Sequence, residues 1–428
     1  MLINPLKVKA KETENNIEVN KDKVISNIIS YLIKNYSEYL SDIDMNKELV
    51  ESIVREKVYK EYSNMNTETT ITAILDRLFG YHILQKYIDD ETVSDIRVTR
   101  FDSIFVKRNG KWEQAVEKFE NEYIDFVRYC VLKNRGKISN ETPIVIVSDR
   151  KNNLRIEAGI EPVNVTSPNL VIRIHRPNGM QALEDLLMTS AEMINVDIYK
   201  FLSEAIIAGC NIVISGKGGS GKTTLMRTLI NKIPEDLSIT ANEETAELYS
   251  THPNLIQREI LSNRVGDKNI TLEKLTAHSL VMSNDVIVIG ELKGAEAMSF
   301  FDAVSTGHRG YATVHADSSE STVDRLVTLM KRDSKAQMYS NDYLTKLLSM
   351  SLDLIVYMNN FKVQEIAEVV YNKEDEKIEY NPLYEFEVEK IENGKSIGRF
   401  KKVNNPIGTV KRKIEISKPE IERCLAWI

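Results

Sequence analysis

A glycine-rich stretch near the middle of the chain constrains the fold more than any other feature. Residues 216–224 read Gly-Lys-Gly-Gly-Ser-Gly-Lys-Thr-Thr and match the pattern G-x-x-x-x-G-K-[ST]. The run Asn211-Ile-Val-Ile-Ser215 precedes the stretch, and Leu225, Leu229 and Ile230 follow it at helical spacing. Because a strand, a glycine loop and a helix follow one another, this context predicts a phosphate-binding loop rather than a chance glycine-rich turn.

Each residue type in this loop suits the binding of a triphosphate. The glycines can adopt positive φ, so that backbone N–H groups face the phosphates, and the next helix adds the positive end of its dipole. Lys222 is expected between the β- and γ-phosphates, Thr223 is expected to ligate Mg²⁺, and Thr224 is expected to donate to an inner phosphate. The predicted nucleotide-binding residues are Gly216, Lys217, Gly218, Gly219, Ser220, Gly221, Lys222, Thr223 and Thr224.

Length, charge and cysteine usage limit the class of protein. The 428 residues predict two or three domains, and the net charge of -7 gives no basic field for direct contact with nucleic acid. The three cysteines lack C-x-x-C spacing, which argues against a zinc site and a disulfide framework and indicates a reducing compartment. No apolar run approaches about 18 residues, so we expect a cytoplasmic chain that reaches a membrane only through a partner.

The first part of the chain, residues 1–66, is predicted to be a helical N-terminal extension. Apolar residues from Val24 to Tyr36 mark one face of an amphipathic helix. These helices could pack on the body of the protein or dock a partner, and the sequence leaves both readings open. The apolar face of a second helix is assigned to Leu49, Ile53, Val54 and Val58.

Residues 67–178 are predicted to form a smaller α+β domain. Short segments alternate between apolar and polar residues, and Asn109-Gly110 is typical of a type I′ hairpin turn because both residues tolerate positive φ. The run Arg176-Pro-Asn-Gly179 breaks the pattern and is taken as the domain boundary. The predicted strands are 94–99, 103–107, 143–147, 154–157 and 170–175.

Residues 179–428 alternate strands and helices around the glycine loop, which predicts an α/β domain with a parallel-rich sheet. Ligands of such sheets bind beyond the carboxyl ends of the strands. In the strand 285–291, Asp285 stands at the start and Glu291 at the end, roughly 20 Å apart at 3.3 Å per residue. Glu291 is therefore the acid expected near Mg²⁺ and the γ-phosphate, whereas Asp285 is expected to be a strand-start or cap residue.

The strand 237–241 is followed by two further acids, Glu243 and Glu244. A carboxylate at this edge could orient or deprotonate the attacking water, so both are candidates for that role. Two histidines, His308 and His315, lie in a glycine-flanked segment after the strand-end acids. They are predicted to sense the γ-phosphate.

Together these residues resemble the type II/IV secretion ATPases (GspE/PulE-like superfamily). Residues 216–224, Glu243-Glu-Thr-Ala-Glu-Leu248, Ile289-Gly-Glu291 and the segment from Thr306 to Ala316 look like the Walker A, Asp, Walker B and His boxes of that family. Among its branches, the tight-adherence pilus ATPases (CpaF/TadA-like) are the most similar. The resemblance covers roughly residues 70–390.

The resemblance implies a fold and a set of roles. The chain would have a RecA-like P-loop domain with a C-terminal helical and β-hairpin part, preceded by an α+β (PAS-like) domain that shares the nucleotide site. By this resemblance Lys222, Glu243 and Glu291 are catalytic: Glu243 is the general base, Glu291 holds water and Mg²⁺, and Thr223 also ligates the metal. Arg155, Arg173 and Arg176 are candidates to reach the phosphates from the first domain, with a solvated sheet face as the alternative for each.

The sequence also departs from the family. The segment Gly290-Glu-Leu-Lys-Gly294 has Lys293 where the family has arginine, and lysine cannot reproduce a bidentate guanidinium contact. Val281 and Ser283 replace two basic residues before the strand. These changes bear on subunit contacts and coupling, while the phosphate loop and both acids are kept.

The expected function is that of an ATP hydrolysis motor, with ATP and Mg²⁺ as cofactors, that powers tight-adherence pilus assembly or protein secretion. The resemblance implies a homohexamer that acts on an inner-membrane platform protein, at the inner face of the cytoplasmic membrane. Two alternatives remain open: an ATPase for conjugative type IV secretion of DNA, and a nucleotide-dependent ring scaffold with low turnover.

Overall fold

A computed structural model shows that the chain divides into two compact units. The first comprises Met1–Arg176 with Ser262–Asn269, and the second comprises Pro177–Leu261 with Ile270–Ile428. The division into 1–66, 67–178 and 179–428 stays a prediction. The structure describes residues 23–43, 45–62, 67–119, 123–175, 188, 192–260, 269–375, 377–392 and 395–425.

The first unit begins with amphipathic helices that pack on the helix Tyr123–Lys133. Their apolar faces share one core with Tyr129 of that helix, and the Tyr129 hydroxyl donates to the carbonyl of Leu78. Arg135 pairs with Asp42 at the edge of this core. The extension therefore packs on the body of the unit. The helices of the first unit are 23–35, Ser37–Leu40, Lys47–Glu61, Thr67–Phe79, Gln85–Asp89 and Tyr123–Lys133, with a 3₁₀ turn at His82–Leu84.

The buried face of the helix Lys47–Glu61 differs by one position from the prediction. Leu49 is 42% exposed, whereas Val50 is fully buried and lines up with Val54 and Val58. Residues 50, 54 and 58 repeat every four positions and so lie on one stripe. Leu49 and Val50 are both apolar, so only the partner surface decides which of them is buried.

A six-stranded antiparallel sheet forms the rest of the first unit, in the order β3-β2-β1-β6-β5-β4. The predicted turn at Asn109-Gly110 is confirmed, because it joins β2 to β3 with φ of 48° and 80°. Apolar side chains of alternate residues, such as Ile172 and Ile174, are buried. The strands are β1 Val93–Arg100, β2 Ser103–Arg108, β3 Lys111–Gln114, β4 Ile144–Asp149, β5 Leu154–Gly159 and β6 Asn169–Ile174.

The second unit is built on a nine-stranded sheet in the order β15-β14-β13-β12-β7-β11-β10-β8-β9. The six strands from β12 to β9 in that order pair in parallel, and β13, β14 and β15 add to one side as antiparallel strands. The predicted α/β class with a parallel-rich sheet is confirmed. The strands are β7 Ile212–Gly216, β8 Ile239–Glu243, β9 Leu255–Glu259, β10 Val286–Leu292, β11 Arg309–Val314, β12 Leu354–Asn359, β13 Lys362–Asn372, β14 Lys377–Glu392 and β15 Lys395–Lys402.

Helices cover both faces of this sheet, so the central strands are buried on both sides. On β7, Ile212 and Ile214 belong to one core and Val213 belongs to the other. This explains why the strand reads as an apolar run rather than an alternation. One face carries Val196–Ile207, Lys222–Ile230, Thr409–Ile416 and Lys418–Leu425, and the other carries Leu272–Ser279, Glu296–Ser305, Ser319–Met330 and Asn341–Ser351.

Within the described ranges, every helix is too short or too polar to cross a lipid bilayer.

Candidate functional site

The glycine loop connects β7 to the helix Lys222–Ile230, as its pattern predicts. Gly216, Gly219 and Gly221 have φ of 146°, 73° and 95°, in the region that side chains disfavour. A Cβ atom at Gly216 would also overlap with the backbone carbonyl oxygen of Met358 on β12. The loop conformation therefore depends on glycine at these positions.

Lys222 lies over the loop that precedes it. Its Nζ atom donates to the carbonyl oxygens of Gly216 and Lys217 at 2.8 and 2.9 Å. Burial lowers the pKa of Lys222, and the charge of Glu291 opposes that shift. The ammonium group is thus held where phosphate oxygens could replace the two carbonyl acceptors.

A chain of charged side chains lies beside the loop. Glu291, near the end of β10, places Oε1 2.6 Å from Nε2 of His315 and Oε2 3.2 Å from Nζ of Lys293. Lys293 also donates to Oε2 of Glu244 at 2.6 Å. Although burial acts to lower the pKa of Lys293, the hydrogen bond to Glu244 and the charge on Glu291 raise it.

His315 follows β11 directly and contacts this part of the loop. A Cβ atom built on Gly218 would lie 3.4 Å from Cε1 of His315, and Nζ of Lys217 lies 3.8 Å from Oδ1 of Asp317. Burial lowers the pKa of His315 below its ordinary value, with Lys222 adding to that shift and Glu291 opposing it. The imidazole is therefore mainly neutral at pH 7.

The structure corrects the pairing of His308 with His315 at one site. β11 begins at Arg309 and runs parallel to β7, so His308 lies at its amino end and His315 at its carboxyl end. The two are about 20 Å apart along the strand. Nδ1 of His308 is 3.0 Å from the carbonyl oxygen of Ala303. Within one chain, His308 is therefore not beside the glycine loop.

Asp285 lies at that same far edge of the sheet. Its carboxylate accepts hydrogen bonds from the backbone N and the Oγ of Ser238, at 2.8 and 2.7 Å. The side-chain hydrogen bond from Ser238 and then its backbone N–H lower the pKa of Asp285. Asp285 thus connects the residues that precede β8 and β10, whereas Glu291 is the acid near the glycine loop.

Glu243 is the last residue of β8 and is 2% exposed. Its Oε1 accepts from the backbone N–H groups of Glu247 and Leu248 at 2.9 and 3.1 Å, and its Oε2 accepts from Nε2 of Gln257 at 2.5 Å. Burial raises the pKa of Glu243 to about 7, against the effect of these donors. In this conformation the carboxyl group is occupied by the protein itself.

The arginine candidates of the first unit lie on its sheet. Arg155 of β5 pairs in register with Arg173 of β6, and Nε of Arg173 is 3.2 Å from Oδ1 of Asp95. Arg173 is more than half exposed, which suits either a solvated face or a phosphate contact. Arg176 lies outside the described residues.

Several residues around the loop went unrecognised in the sequence. Gln257 stands on β9 and reaches Glu243 only because β8 and β9 pair, so no local signal marks it. Lys293 is visible only as a departure from the family, yet it bridges two carboxylates. On the other side of the loop lie Met193, Met358 and Phe361, whose nearest atoms are 2.6 to 3.5 Å from a Cβ built on Gly221.

The described residues contain no group of three histidine, cysteine or acidic side chains that could hold a metal ion alone. Mg²⁺ commonly takes one or two protein ligands and completes its shell with phosphate oxygens and water. Half-buried Thr223 at the helix start and Glu291 near the end of β10 suit that type of site.

Several known proteins are similar to this chain. The type IV secretion system protein VirB11 of Brucella suis is 27% identical over 311 residues, which are 66% of this chain and 85% of that protein. VirB11 of Bartonella henselae is 26% identical over 345 residues, 71% of this chain and 95% of that protein. Two solved structures are also similar. The Brucella suis VirB11 ATPase is 23% identical with a TM-score of 0.34, and the match covers 70% of this chain and 95% of that one. The pilus retraction motor PilT with bound ADP is 15% identical with a TM-score of 0.49, and the match covers 80% of this chain and 88% of that one.

A family profile decides the membership. The profile described as Type II/IV secretion system protein matches residues 134–364, which is more than half of the chain and includes the glycine loop, Glu243, Glu291 and His315. The superfamily expected from the sequence is thereby confirmed, while the tight-adherence branch stays a prediction. The chain belongs to the type II/IV secretion system protein family.

Proposed function

We propose that this chain is a Mg²⁺-dependent ATPase that powers a pilus or secretion machine. The observation that carries the proposal is the position of Lys222, Glu291 and His315, which surround the glycine loop at the carboxyl ends of parallel strands. Phosphoryl transfer needs little more than positioning and charge neutralisation. Lys222 supplies a positive charge, and Glu291 would help to hold Mg²⁺, which would supply more. The name of the sequence relatives, type IV secretion system protein VirB11, and the matching type II/IV secretion family support a role in transport.

Each side chain has a proposed role at the site. When nucleotide binds, Nζ of Lys222 would donate to β- and γ-phosphate oxygens in place of the carbonyl oxygens of Gly216 and Lys217, because both kinds of oxygen accept hydrogen bonds from an ammonium group. Thr223 and Glu291 hold Mg²⁺, which would neutralise charge on the phosphates. His315, mainly neutral at pH 7, can report the γ-phosphate through its contacts with both Glu291 and the loop.

Glu243 is the proposed general base, and its pKa of about 7 suits a group that must accept a proton near neutral pH. Its present hydrogen bonds to Glu247, Leu248 and Gln257 must open before it can reach a water molecule. Hydrolysis would thus require a local rearrangement between β8 and β9. Glu244, which is linked to Glu291 through Lys293, is the neighbouring acid that could act instead.

Tight-adherence pilus assembly is the transport role proposed from the sequence motifs. Type IV secretion, including conjugative DNA transfer, is the second candidate, and it is favoured by the names of the VirB11 relatives. Genes for pilins beside the gene of this chain would support the first role. A neighbouring relaxase gene would support the second.

The proposed assembly is a homohexamer that acts on an inner-membrane platform protein, does not insert into the membrane and does not bind nucleic acid directly. Ring assembly would give half-buried strand-start residues, such as His308, further neighbours that one chain does not provide. The net charge of -7 is consistent with a motor that does not handle nucleic acid itself.

The test is steady-state orthophosphate release with ATP and Mg²⁺, on full-length protein whose assembly is followed by light scattering. We expect release that rises with assembly, is lost in Lys222→Ala because nucleotide no longer binds, and falls at least about 100-fold in Glu243→Gln. An assembled ring that binds ATP tightly without release would instead favour the scaffold. Unchanged release in Glu243→Gln with loss in Glu244→Gln would move the base to Glu244.

A further inference from the structure

The two sides of the glycine loop differ in chemistry. On the side of β11 and β10, the loop meets His315, which pairs with Glu291. On the side of β12, it meets Met193, Met358 and Phe361, of which the two methionines are buried. β7 lies between β12 and β11 in the sheet, so the charged groups and the apolar groups stand on opposite sides of the loop.

This asymmetry fixes the direction of a bound nucleotide. The terminal phosphate of a nucleoside triphosphate belongs beside the lysine, which can neutralise part of its charge, and the histidine, which can sense it. The nucleoside then extends the other way, past Gly221 and toward β12. A nucleobase is a flat apolar surface, so it suits an aromatic ring and methionine side chains.

Phe361 has an unusual place in the chain. Asn360 and Phe361 form the two-residue turn between β12 and β13, with φ of 48° and 61°. Turns of this type favour glycine at the second position, and a bulky residue there is an outlier in backbone conformation. The ring is nevertheless 58% exposed, so burial in the core does not explain the phenylalanine.

The surroundings hold this turn against the loop. The backbone N–H of Val363 donates to the carbonyl oxygen of Met193 at 3.0 Å, and Nζ of Lys362 donates to the carbonyl oxygen of Glu192 at 3.0 Å. Nζ of Lys362 also lies 5.3 Å from the ring centroid of Phe386. The segment before the helix Val196–Ile207 and the β12–β13 turn are therefore tied together on this side of the loop.

We propose that Phe361, with Met193 and Met358, forms the subsite for the base of a purine nucleotide. The ring of Phe361 offers the stacking surface, and the two methionine side chains fill the space between the ring and Gly221. The subsite rests on the proposed function, because it takes its direction from the phosphate positions proposed there. It adds a specificity-determining side chain outside the four sequence motifs.

The test compares ligands with and without a base. ADP and inorganic tripolyphosphate are titrated by calorimetry into the full-length chain and into Phe361→Asn, since asparagine keeps the left-handed turn without the ring. We expect ADP affinity to fall about 5- to 100-fold, the range for loss of one stacked base, with tripolyphosphate affinity unchanged. Phe361→Trp should retain ADP affinity. Tyr343→Ala, which removes a half-exposed aromatic residue from the helix Asn341–Ser351, should leave the affinity for both ligands unaffected.

Equal ADP affinity in Phe361→Asn and the parent would overturn the subsite. Equal losses for ADP and tripolyphosphate would also overturn it, because they would place the effect on the loop and not on the base. In both cases ATP hydrolysis by the parent would leave the proposed function intact. Failure of the parent to bind either ligand would reject the proposed function and the subsite with it.

Discussion

Nε2 of His315 lies 2.6 Å from Oε1 of Glu291, which joins the carboxyl ends of β11 and β10 beside the glycine loop. Burial lowers the pKa of His315, and the negative charge of Glu291 partly restores it. The contact therefore favours the protonated imidazole, in opposition to the larger effect of burial.

This relationship predicts a pKa change that NMR can measure. In the parent the imidazole should titrate below 6.5, and in Glu291→Gln it should titrate lower still, because the attraction that favours the protonated ring is gone. The Hε1 resonance of His315, assigned by its absence in His315→Gln, gives both values. A higher pKa in Glu291→Gln would show that the carboxylate does not act on this ring.

Burial of Glu243 predicts a pH-dependent effect on stability. Its pKa is about 7 in the folded chain against 4.5 for an ordinary glutamate, so the folded state binds the proton more tightly. Stability from this group is full below about pH 4.5 and is lost as the pH rises to about 7, by roughly 3 kcal/mol at most. Glu243→Gln should therefore raise the melting temperature more at pH 8 than at pH 5.5.

Melting of both proteins without nucleotide, at each pH, checks this expectation. Asp285→Asn serves as the matched control, because the pKa of Asp285 is lowered rather than raised. An equal change in melting temperature at the two pH values for Glu243→Gln would contradict the raised pKa.

Alanine substitutions at two glycines of the loop, Gly216 and Gly219, should destabilise the second unit to different extents. At Gly216 the new Cβ would overlap with the carbonyl oxygen of Met358, so β7 and β12 must separate, which we expect to destabilise the unit by about 3 kcal/mol. At Gly219 the Cβ meets no atom within 4 Å, and only the positive φ opposes it, by about 1 kcal/mol. Thermal unfolding and ADP titration of Gly216→Ala and Gly219→Ala measure the difference, and equal effects would contradict the overlap.

Substitutions of Glu291, near the end of β10, and of Asp285, directly before β10, should affect different properties: the first ATP hydrolysis and the second stability. Glu291→Gln should reduce orthophosphate release at least about 100-fold with little change in melting, since Glu291 faces the loop. Asp285→Asn should keep release within about twofold, yet lower the melting temperature slightly at pH 7, because the carboxylate accepts two hydrogen bonds from Ser238. That small loss should shrink as the pH falls below 3.8 and through the lowered pKa of the aspartate. Loss of release in Asp285→Asn with an unchanged melting temperature would contradict this division.

Much of the second unit can be read from local patterns. The order strand, glycine loop, helix lies within one short stretch, and the apolar runs at 212–215 and 286–289 are buried throughout, as is typical of parallel strands. The positions of Glu291 and Asp285 then follow from strand direction alone. The same rule separates His308 from His315, once β11 is known to start at Arg309.

Side-chain contacts between neighbouring strands could not be predicted from local sequence patterns. Gln257 is fourteen residues from Glu243 in sequence and meets it only through the pairing of β8 with β9. Lys293 bridges Glu244 and Glu291 because β8 and β10 are neighbours. On the helix Lys47–Glu61, Leu49 and Val50 are equally apolar, and the partner surface alone buries Val50.

The sequence by itself thus determined the glycine loop, the parallel sheet around it and the acid at its edge, because residues close in the chain set these features. The tertiary structure decided which groups surround the loop. It placed His315 on one side of the glycine loop and Phe361 on the other side. It also gave the buried carboxylate of Glu243 three hydrogen-bond donors. Such contacts depend on strand order and packing, which join residues that are far apart in the sequence.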